Sequence, residues 1–132
     1  MLLPKRGKRK GRRKDGPGGY GPLVAECDRV FSQVVRLSEA GPDGRVVCLT
    51  CGDRHPWTGL DCGHYVRRGK FATRWDRRNA GPQCTTCNRT RGGVPDTFAA
   101  KIDRRYGAGT AAALRQTAAG QAGNRTHPPQ LR

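Results

Sequence analysis

Two pairs of cysteines carry the clearest chemical signal in the sequence. Cys48 and Cys51 are separated by two residues, and Cys84 and Cys87 repeat this spacing further along the chain. Thiolates at this spacing wrap round one tetrahedral zinc ion, and Gly52 suits a tight turn that aims backbone amides at the sulfurs. We therefore predict a structural zinc site. Two redox or disulfide pairs are the alternative, but the apolar βαβ context of a thioredoxin-like motif is missing.

The residues that could carry catalysis stand between the two pairs or directly after them. His64 lies near the end of a predicted short strand, between Gly63 and Tyr65, and a neutral imidazole can accept a proton from water near pH 7. Asn88 comes immediately after the last cysteine, and its amide oxygen is a suitable ligand for Mg²⁺, which prefers oxygen donors. A lone histidine is more often structural, so the hypothesis depends on the order Cys pair, Gly-His, Asn, Cys pair plus Asn.

A basic segment, residues 67–78, follows the candidate histidine. Its cations are Arg67, Arg68, Lys70, Arg74, Arg77 and Arg78. Cations beside a group that activates water would hold a phosphodiester in place. We predict that these side chains contact DNA phosphates.

Helices and short strands must position these residues. Apolar residues at helical spacing predict a helix from Leu23 to Leu37, with Cys27 on its apolar stripe as a core residue rather than a ligand. Glycine and proline at residues 41–44 end it. Further predicted elements are strands at Val46–Cys48 and Asp61–Val66, a short helix from Cys84, and helices at Thr97–Tyr106 and Thr110–Ala119.

Composition favours a small domain that binds a polyanion. The 132 residues include 26 Lys and Arg against 10 Asp and Glu, which gives a formal net charge of +16. Only 34% of the residues are hydrophobic and 6% aromatic, so the chain cannot bury a large core and needs a further source of stability such as a metal. The basic excess favours nucleic acid as partner. No apolar run is long enough for a bilayer, so we expect no membrane partner and a cytoplasmic location.

The charge pattern also predicts the domain organisation. Residues 5–14 carry eight basic side chains and no acidic one, and a glycine- and proline-rich stretch follows. We predict a disordered basic arm and linker over residues 1–22, a zinc-stapled domain over residues 23–119 and a disordered tail over residues 120–132. The arm is either a non-specific DNA-binding element or a solubilising tail, and we favour the first.

The order of these motifs resembles the His-Asn-His (HNH, or His-Me finger) nuclease superfamily. More closely, it is similar to the phage NinG/Rap family of recombination nucleases, with the phage junction-resolving endonuclease VII as a more distant relative. The resemblance covers roughly Leu23 to Ala119. Its motifs are Cys48-Leu49-Thr50-Cys51-Gly52, Asp61-Cys62-Gly63-His64-Tyr65, Arg78-Asn79-Ala80-Gly81-Pro82-Gln83-Cys84-Thr85-Thr86-Cys87-Asn88, and a later segment with Ile102 and Tyr106-Gly107.

The resemblance implies an α+β fold, a small zinc-stapled ββα-metal finger (HNH or treble-clef-like) flanked by helices. It implies that His64 is the general base, that Asn88 binds the catalytic metal, and that Asn79 braces the hairpin loop and helps to orient the base. Many members have a metal ligand directly before the base, where this chain has Gly63. Asp61 is the nearest carboxylate. It either reaches the metal, directly or through water, if Gly63 bends the strand, or it supports the hairpin.

The function implied is a metal-dependent endonuclease that hydrolyses phosphodiesters in branched DNA, such as Holliday junctions and D-loops, during phage recombination. Its cofactors would be structural Zn²⁺ and catalytic Mg²⁺ or Mn²⁺. Its partner would be branched or single-stranded DNA, and a homodimer would suit the two-fold character of a junction. The alternative is a non-catalytic zinc-finger module that only binds nucleic acid, and a thiol-redox protein is a third, weaker reading.

Overall fold

A computed structural model describes residues 20–120 of the chain, so the predicted basic arm and linker up to residue 19 and the predicted tail after Gly120 lie outside the described residues. Residues 20–22, predicted as the end of the disordered linker, are part of a helix instead. The described part contains four α-helices and four strands. The helices are α1 (Tyr20–Leu37), α2 (Phe71–Arg74), α3 (Pro95–Tyr106) and α4 (Thr110–Ala119). The strands are β1 (Arg45–Val47), β2 (Arg54–Pro56), β3 (Asp61–His64) and β4 (Ala80–Gln83).

Helix α1 begins three residues before the predicted start at Leu23. Pro22 falls in its first turn, where a missing backbone N–H costs nothing because that donor has no partner inside the helix. The predicted apolar stripe is only partly buried. Leu23, Val30, Val34 and Leu37 remain between 44% and 53% exposed, whereas Val35 is 2% exposed. The face that packs on the rest of the molecule thus lies to one side of the stripe.

The first hairpin carries the first cysteine pair at its turn. β1 and β2 are antiparallel, with Val46 opposite His55. The predicted strand Val46–Cys48 is displaced by one residue, since Cys48 leaves the ladder to join the turn. The region after it contains β2 and a 3₁₀ turn at Trp57–Gly59.

The second hairpin joins β3 to β4 through residues 65–79. The two strands are antiparallel, with Asp61 opposite Gln83 and His64 opposite Ala80. The long connection contains the basic segment and includes α2. Helix α1 packs across both strands of this hairpin. The candidate base thus lies at the end of a strand that α1 covers.

The second cysteine pair begins the C-terminal part of the fold. The short helix predicted there is a π-helix at Thr86–Thr90, and α3 and α4 follow it close to their predicted bounds. One cluster of buried residues surrounds the cysteines and consists of Val46, Cys48, Leu60, Cys84 and Cys87. The other fills the space between α3 and α4 and consists of Phe98, Ile102, Ala111 and Leu114.

The architecture is therefore a small α+β fold with two antiparallel two-stranded sheets and a four-cysteine cluster. Within residues 20–120, the helices are all too short or too polar to cross a membrane.

Candidate functional site

The four predicted cysteines come together in the structure. The sulfurs of Cys48, Cys51, Cys84 and Cys87 all lie within 4.8 Å of one another. The distance between the sulfurs of Cys51 and Cys84 is 3.8 Å. A tetrahedron of thiolates with Zn–S of about 2.3 Å has edges of about 3.8 Å. The cluster could therefore bind a metal such as zinc.

Backbone amides support the cluster. Cys84 donates its N–H to the sulfur of Cys48 over 3.3 Å, and Cys87 donates to the sulfur of Cys84 over 3.4 Å. Gly52, at φ +82°, adopts the left-handed conformation that closes the first turn. This arrangement fits the role predicted for Gly52.

The thiols of the cluster differ in their readiness to ionise. Burial raises the pKa of Cys48, but hydrogen bonds from backbone N–H groups outweigh it and lower the pKa to about 6. The pKa of Cys51 is raised to about 12, because burial and the neighbouring sulfurs outweigh the hydrogen bond from the backbone of Asp53. Thiols this close can all ionise only when a cation lies among them. The donor chemistry of the cluster is thus that of a metal site.

A cavity of about 450 Å³ opens on the other side of the second hairpin. His64, Asp61 and Asn88 all line it. The remaining lining residues come from α1, β3 and the basic segment, together with the π-helix: Asp28, Ser32, Cys62, Arg67, Arg68 and Arg89. The cavity thus contains the candidate base, both candidate metal ligands and several cations.

Asp61 and Asn88 are in direct contact. The side-chain amide of Asn88 donates to a carboxylate oxygen of Asp61 over 3.0 Å. Arg89 binds the same carboxylate with two nitrogens, at 3.0 and 3.1 Å. The amide oxygen of Asn88 and the Asp61 carboxylate provide the hard oxygen donors that Mg²⁺ or Mn²⁺ prefers, in a cavity with room for water ligands. These residues therefore fit a divalent cation, which would have to compete with Arg89.

His64 is held by its ring nitrogen Nε2. This atom lies 3.0 Å from the backbone carbonyl oxygen of Arg74. A carbonyl oxygen only accepts, so Nε2 carries the proton of the neutral ring and Nδ1 keeps its lone pair. The ring of Phe31 from α1 lies 5.9 Å from the imidazole, centroid to centroid. Burial, helped by the Arg68 cation, lowers the pKa of His64, which favours the neutral form that a general base needs.

Asn79 braces the connection between β3 and β4 without contacting His64 through any hydrogen bond of the described residues. It is fully buried. Its oxygen accepts from the N–H of Val66 at 2.7 Å, and its nitrogen donates to the carbonyls of Val66 and Thr73 at 3.0 and 3.1 Å. Because Thr73 directly precedes Arg74, Asn79 fixes the peptide next to the carbonyl that His64 contacts.

Gly63 cannot be replaced by a metal ligand in this packing. A Cβ at this position would lie 2.0 Å from the Oε1 atom of Gln83. Gln83 is fully buried, and its nitrogen donates to Thr50 and to the carbonyl of Gly93. Its side chain therefore occupies the space that a ligand at position 63 would need.

The six basic residues of the connection have different surroundings. Arg67 and Arg68 line the cavity. Arg77 donates to Ser38, and Arg78 pairs with Asp76 at 2.7 Å while its side chain stays 53% exposed. Lys70 is half-buried beside α2.

Arg74, for which a phosphate contact stays a prediction, makes several contacts within the protein. Its guanidinium binds Asp28 with two nitrogens, at 2.9 and 2.5 Å, and the carbonyl of Arg68 at 2.7 Å. Its side chain is only 14% exposed. The guanidinium is thus committed inside the protein.

Sequence patterns missed Asp28, Ser32 and Arg89. Asp28 and Ser32 lie on α1, far along the chain from the cavity's other residues. Arg89 directly follows the candidate ligand Asn88, and its positive charge could have marked it as a residue of the same site.

Comparison with known proteins adds one finding. The family model described as bacteriophage lambda NinG protein matches residues 7–126, which is most of the chain. Neither the curated proteins nor the solved structures include a significant match. On the length of that match, this chain belongs to the NinG family.

Proposed function

We propose that this protein is a metal-dependent endonuclease of the HNH type that cuts branched DNA. The observation that carries the proposal is that His64, Asp61 and Asn88 line one cavity together with Arg67 and Arg68. A base, two oxygen ligands and phosphate-binding cations are the parts that phosphodiester hydrolysis requires.

The chain's own residues would divide the work as follows. Nδ1 of His64 accepts a proton from water, and the resulting hydroxide attacks the phosphorus atom. Arg67 and Arg68 neutralise the neighbouring phosphates. Asp61 and Asn88 would hold a Mg²⁺ or Mn²⁺ ion, which supplies stabilisation of the charge on the phosphate and the leaving 3′-oxygen. The cysteine cluster would hold zinc apart from this chemistry.

Family membership supports the biological setting. The matching family is that of a bacteriophage lambda protein, which links the chain to phage recombination. Branched DNA is the class of substrate that recombination produces. The net charge of +16 suits such a polyanion, and two copies bound to one junction would suit its two-fold character.

A non-catalytic zinc module that binds nucleic acid is the second candidate. One observation favours it: both oxygens of the Asp61 carboxylate already accept from Arg89, so the charge is satisfied without a metal. Cleavage therefore separates the two candidates, whereas binding alone does not.

The test is cleavage of a synthetic four-way junction by the purified protein with Mg²⁺ or Mn²⁺. We expect His64→Ala to lower the cleavage rate by about 10²- to 10⁴-fold, the usual contribution of a general base. Junction binding and metal content of the cysteine cluster should not change. His55→Ala is the matched control, since it removes an imidazole that lies in β2 outside the cavity. Because His55 lines a pocket beside the cysteine cluster, metal content is measured for this variant as well.

Tight junction binding by the wild type without cleavage in either metal would leave the binding module as the better account. Equal cleavage by wild type and His64→Ala would remove the imidazole from the reaction.

A further inference from the structure

Asp28 is the acidic residue of α1 that is most engaged with the rest of the molecule. Its carboxylate accepts from Nε and Nη2 of Arg74 at 2.9 and 2.5 Å, and from the indole N–H of Trp75 at 3.0 Å. A nitrogen of Arg68 lies 3.7 Å away. Burial raises the pKa of Asp28, but the hydrogen bonds and charge of Arg74 outweigh it, so the pKa falls below 3.8 and the group is ionised at neutral pH.

Arg74 and Trp75, two consecutive residues of the basic segment, are thereby tied to α1. Arg74 ends α2, a helix of only four residues, which has little stability of its own. The guanidinium of Arg74 also donates to the carbonyl of Arg68 and lies over the rings of Phe71 and Trp75, at 5.2 and 5.8 Å from their centroids. The side chains of Arg74 and Trp75 converge on the Asp28 carboxylate, so that carboxylate anchors the end of α2.

Arg74 also presents the backbone carbonyl that His64 contacts. The distance between Nε2 of His64 and the oxygen of Arg74 is 3.0 Å. Asn79 fixes the preceding peptide through the carbonyl of Thr73. The carbonyl is thus held by Asn79 from the backbone side and by Asp28 through the Arg74 side chain.

The orientation of this carbonyl decides which ring nitrogen of His64 is the base. A carbonyl accepts and never donates, so it selects the neutral tautomer with hydrogen on Nε2 and leaves Nδ1 to accept a proton. If the end of α2 moved, the ring could take either tautomer or rotate. A displacement of about 1 Å in such a group can cost on the order of a hundredfold in rate.

We propose that Asp28 is a positioning residue, which fixes the Arg74 carbonyl and thereby sets the tautomer and orientation of His64. It acts through Arg74 and Trp75. The effect of Asp28 on the tautomer of His64 is argued from geometry alone, whereas its effect on the cleavage rate rests on the proposed function.

The test compares Asp28→Asn with Glu26→Gln in the full-length, metal-loaded protein. Both changes turn a carboxylate of α1 into an amide, but Glu26 is exposed and pairs only with Arg29 of its own helix among the described residues. The first readout is the ¹⁵N shifts of the His64 ring, assigned by comparison with His64→Gln. We expect the wild type and Glu26→Gln to hold hydrogen on Nε2, and Asp28→Asn to show mixed tautomers.

The second readout is junction cleavage. Asp28→Asn should lower kcat roughly 10- to 100-fold with KM little changed. It should have no further effect in a His64→Ala background, because the two residues act through one group. Trp75→Phe removes a single donor to Asp28 and keeps the ion pair with Arg74, so it should lower kcat by a smaller factor. This variant replaces Asp28→Asn in both readouts if Asp28→Asn does not fold.

The proposal is overturned if Asp28→Asn, or Trp75→Phe where only that variant folds, keeps the wild-type tautomer. It is also overturned if the loss of activity appears equally in the His64→Ala background. A wild type that never cuts would defeat the proposed nuclease function, yet the ring shifts would still decide whether Asp28 sets the tautomer.

Discussion

At the scale of single residues, His64 is a half-buried group whose environment favours the neutral ring. Burial removes the water that would stabilise the imidazolium, and the Arg68 cation adds to this effect. The backbone carbonyls of Arg74 and Cys62 and the charge of Asp28 raise the pKa, but they do not outweigh burial. The net result is a pKa below 6.5, so the ring is available as a base at neutral pH.

This shift predicts how activity and stability depend on pH. Because the pKa of His64 is lowered in the folded state, its contribution to stability is present above the unfolded value of 6.5 and is lost as the pH falls through the folded pKa. The value of kcat/KM should rise along a one-proton limb with an apparent pKa below 6.5. Cleavage rates from pH 5 to 8, with an NMR titration of the ring, measure both.

His64→Gln supplies the control for assigning the titrating signal. An inflection at or above 6.5 in both experiments would contradict the burial argument.

At the scale of elements, the β3–β4 hairpin depends on close approaches that glycine alone permits. Gly63 faces the side chain of Gln83, and a Cβ on Gly81 would lie 2.6 Å from Leu49 of the first cysteine turn. The hairpin therefore packs directly against the first cysteine turn. Helix α1 also contacts both strands of the hairpin. The four-cysteine cluster and the candidate base are linked through this hairpin.

Gly63→Ala should destabilise the domain by about 1–3 kcal/mol, the usual cost of overpacking. The added methyl would require Gln83 to leave hydrogen bonds to Thr50 and to the carbonyl of Gly93. Gly69→Ala is the matched control, because a Cβ there has nothing within 4 Å. Thermal or denaturant unfolding of the metal-loaded variants measures the difference.

In a Gln83→Ala background the cost of Gly63→Ala should shrink, since the side chain that it collides with is gone. Equal losses of stability in the two backgrounds would show that the contact with Gln83 is not the reason that residue 63 is a glycine.

At the scale of the whole molecule, a chain with little apolar material is held by two small clusters. One of them includes three of the four cysteines. Structural zinc in small fingers contributes apparent binding free energies of about 10–16 kcal/mol, comparable with or larger than the ~5–15 kcal/mol total stability of a typical domain. The metal would therefore supply most of the folding free energy.

Cys84→Ser should abolish cooperative folding together with metal binding, a loss of several kcal/mol or more. Cys27→Ser is the control, because Cys27 is a half-buried cysteine of α1 outside the cluster. Zinc content per chain and circular dichroism during heating measure the outcome. A Cys84→Ser protein that unfolds cooperatively without zinc would mean that the apolar clusters suffice.

What the sequence by itself determined is local in the chain. The cysteine spacing predicted the members of the cluster, because a two-residue gap brings the two thiols of each pair together. The meeting of the two pairs depends on the tertiary fold. Helical periodicity predicted α3 and α4 close to their bounds. The motif order and its family resemblance named His64, Asp61 and Asn88, which the structure then places in one cavity.

Only the tertiary structure decided contacts between residues far apart in sequence. Asp28 and Arg74 are 46 positions apart, and no periodicity or spacing links them. Strand β4 has an Ala-Gly-Pro-Gln sequence with poor strand propensity and is stabilised by pairing with β3 and by complete burial. The buried side of α1 and the pairing of Asp61 with Arg89 likewise follow from which surfaces meet, because packing and charge pairing are properties of the assembled chain.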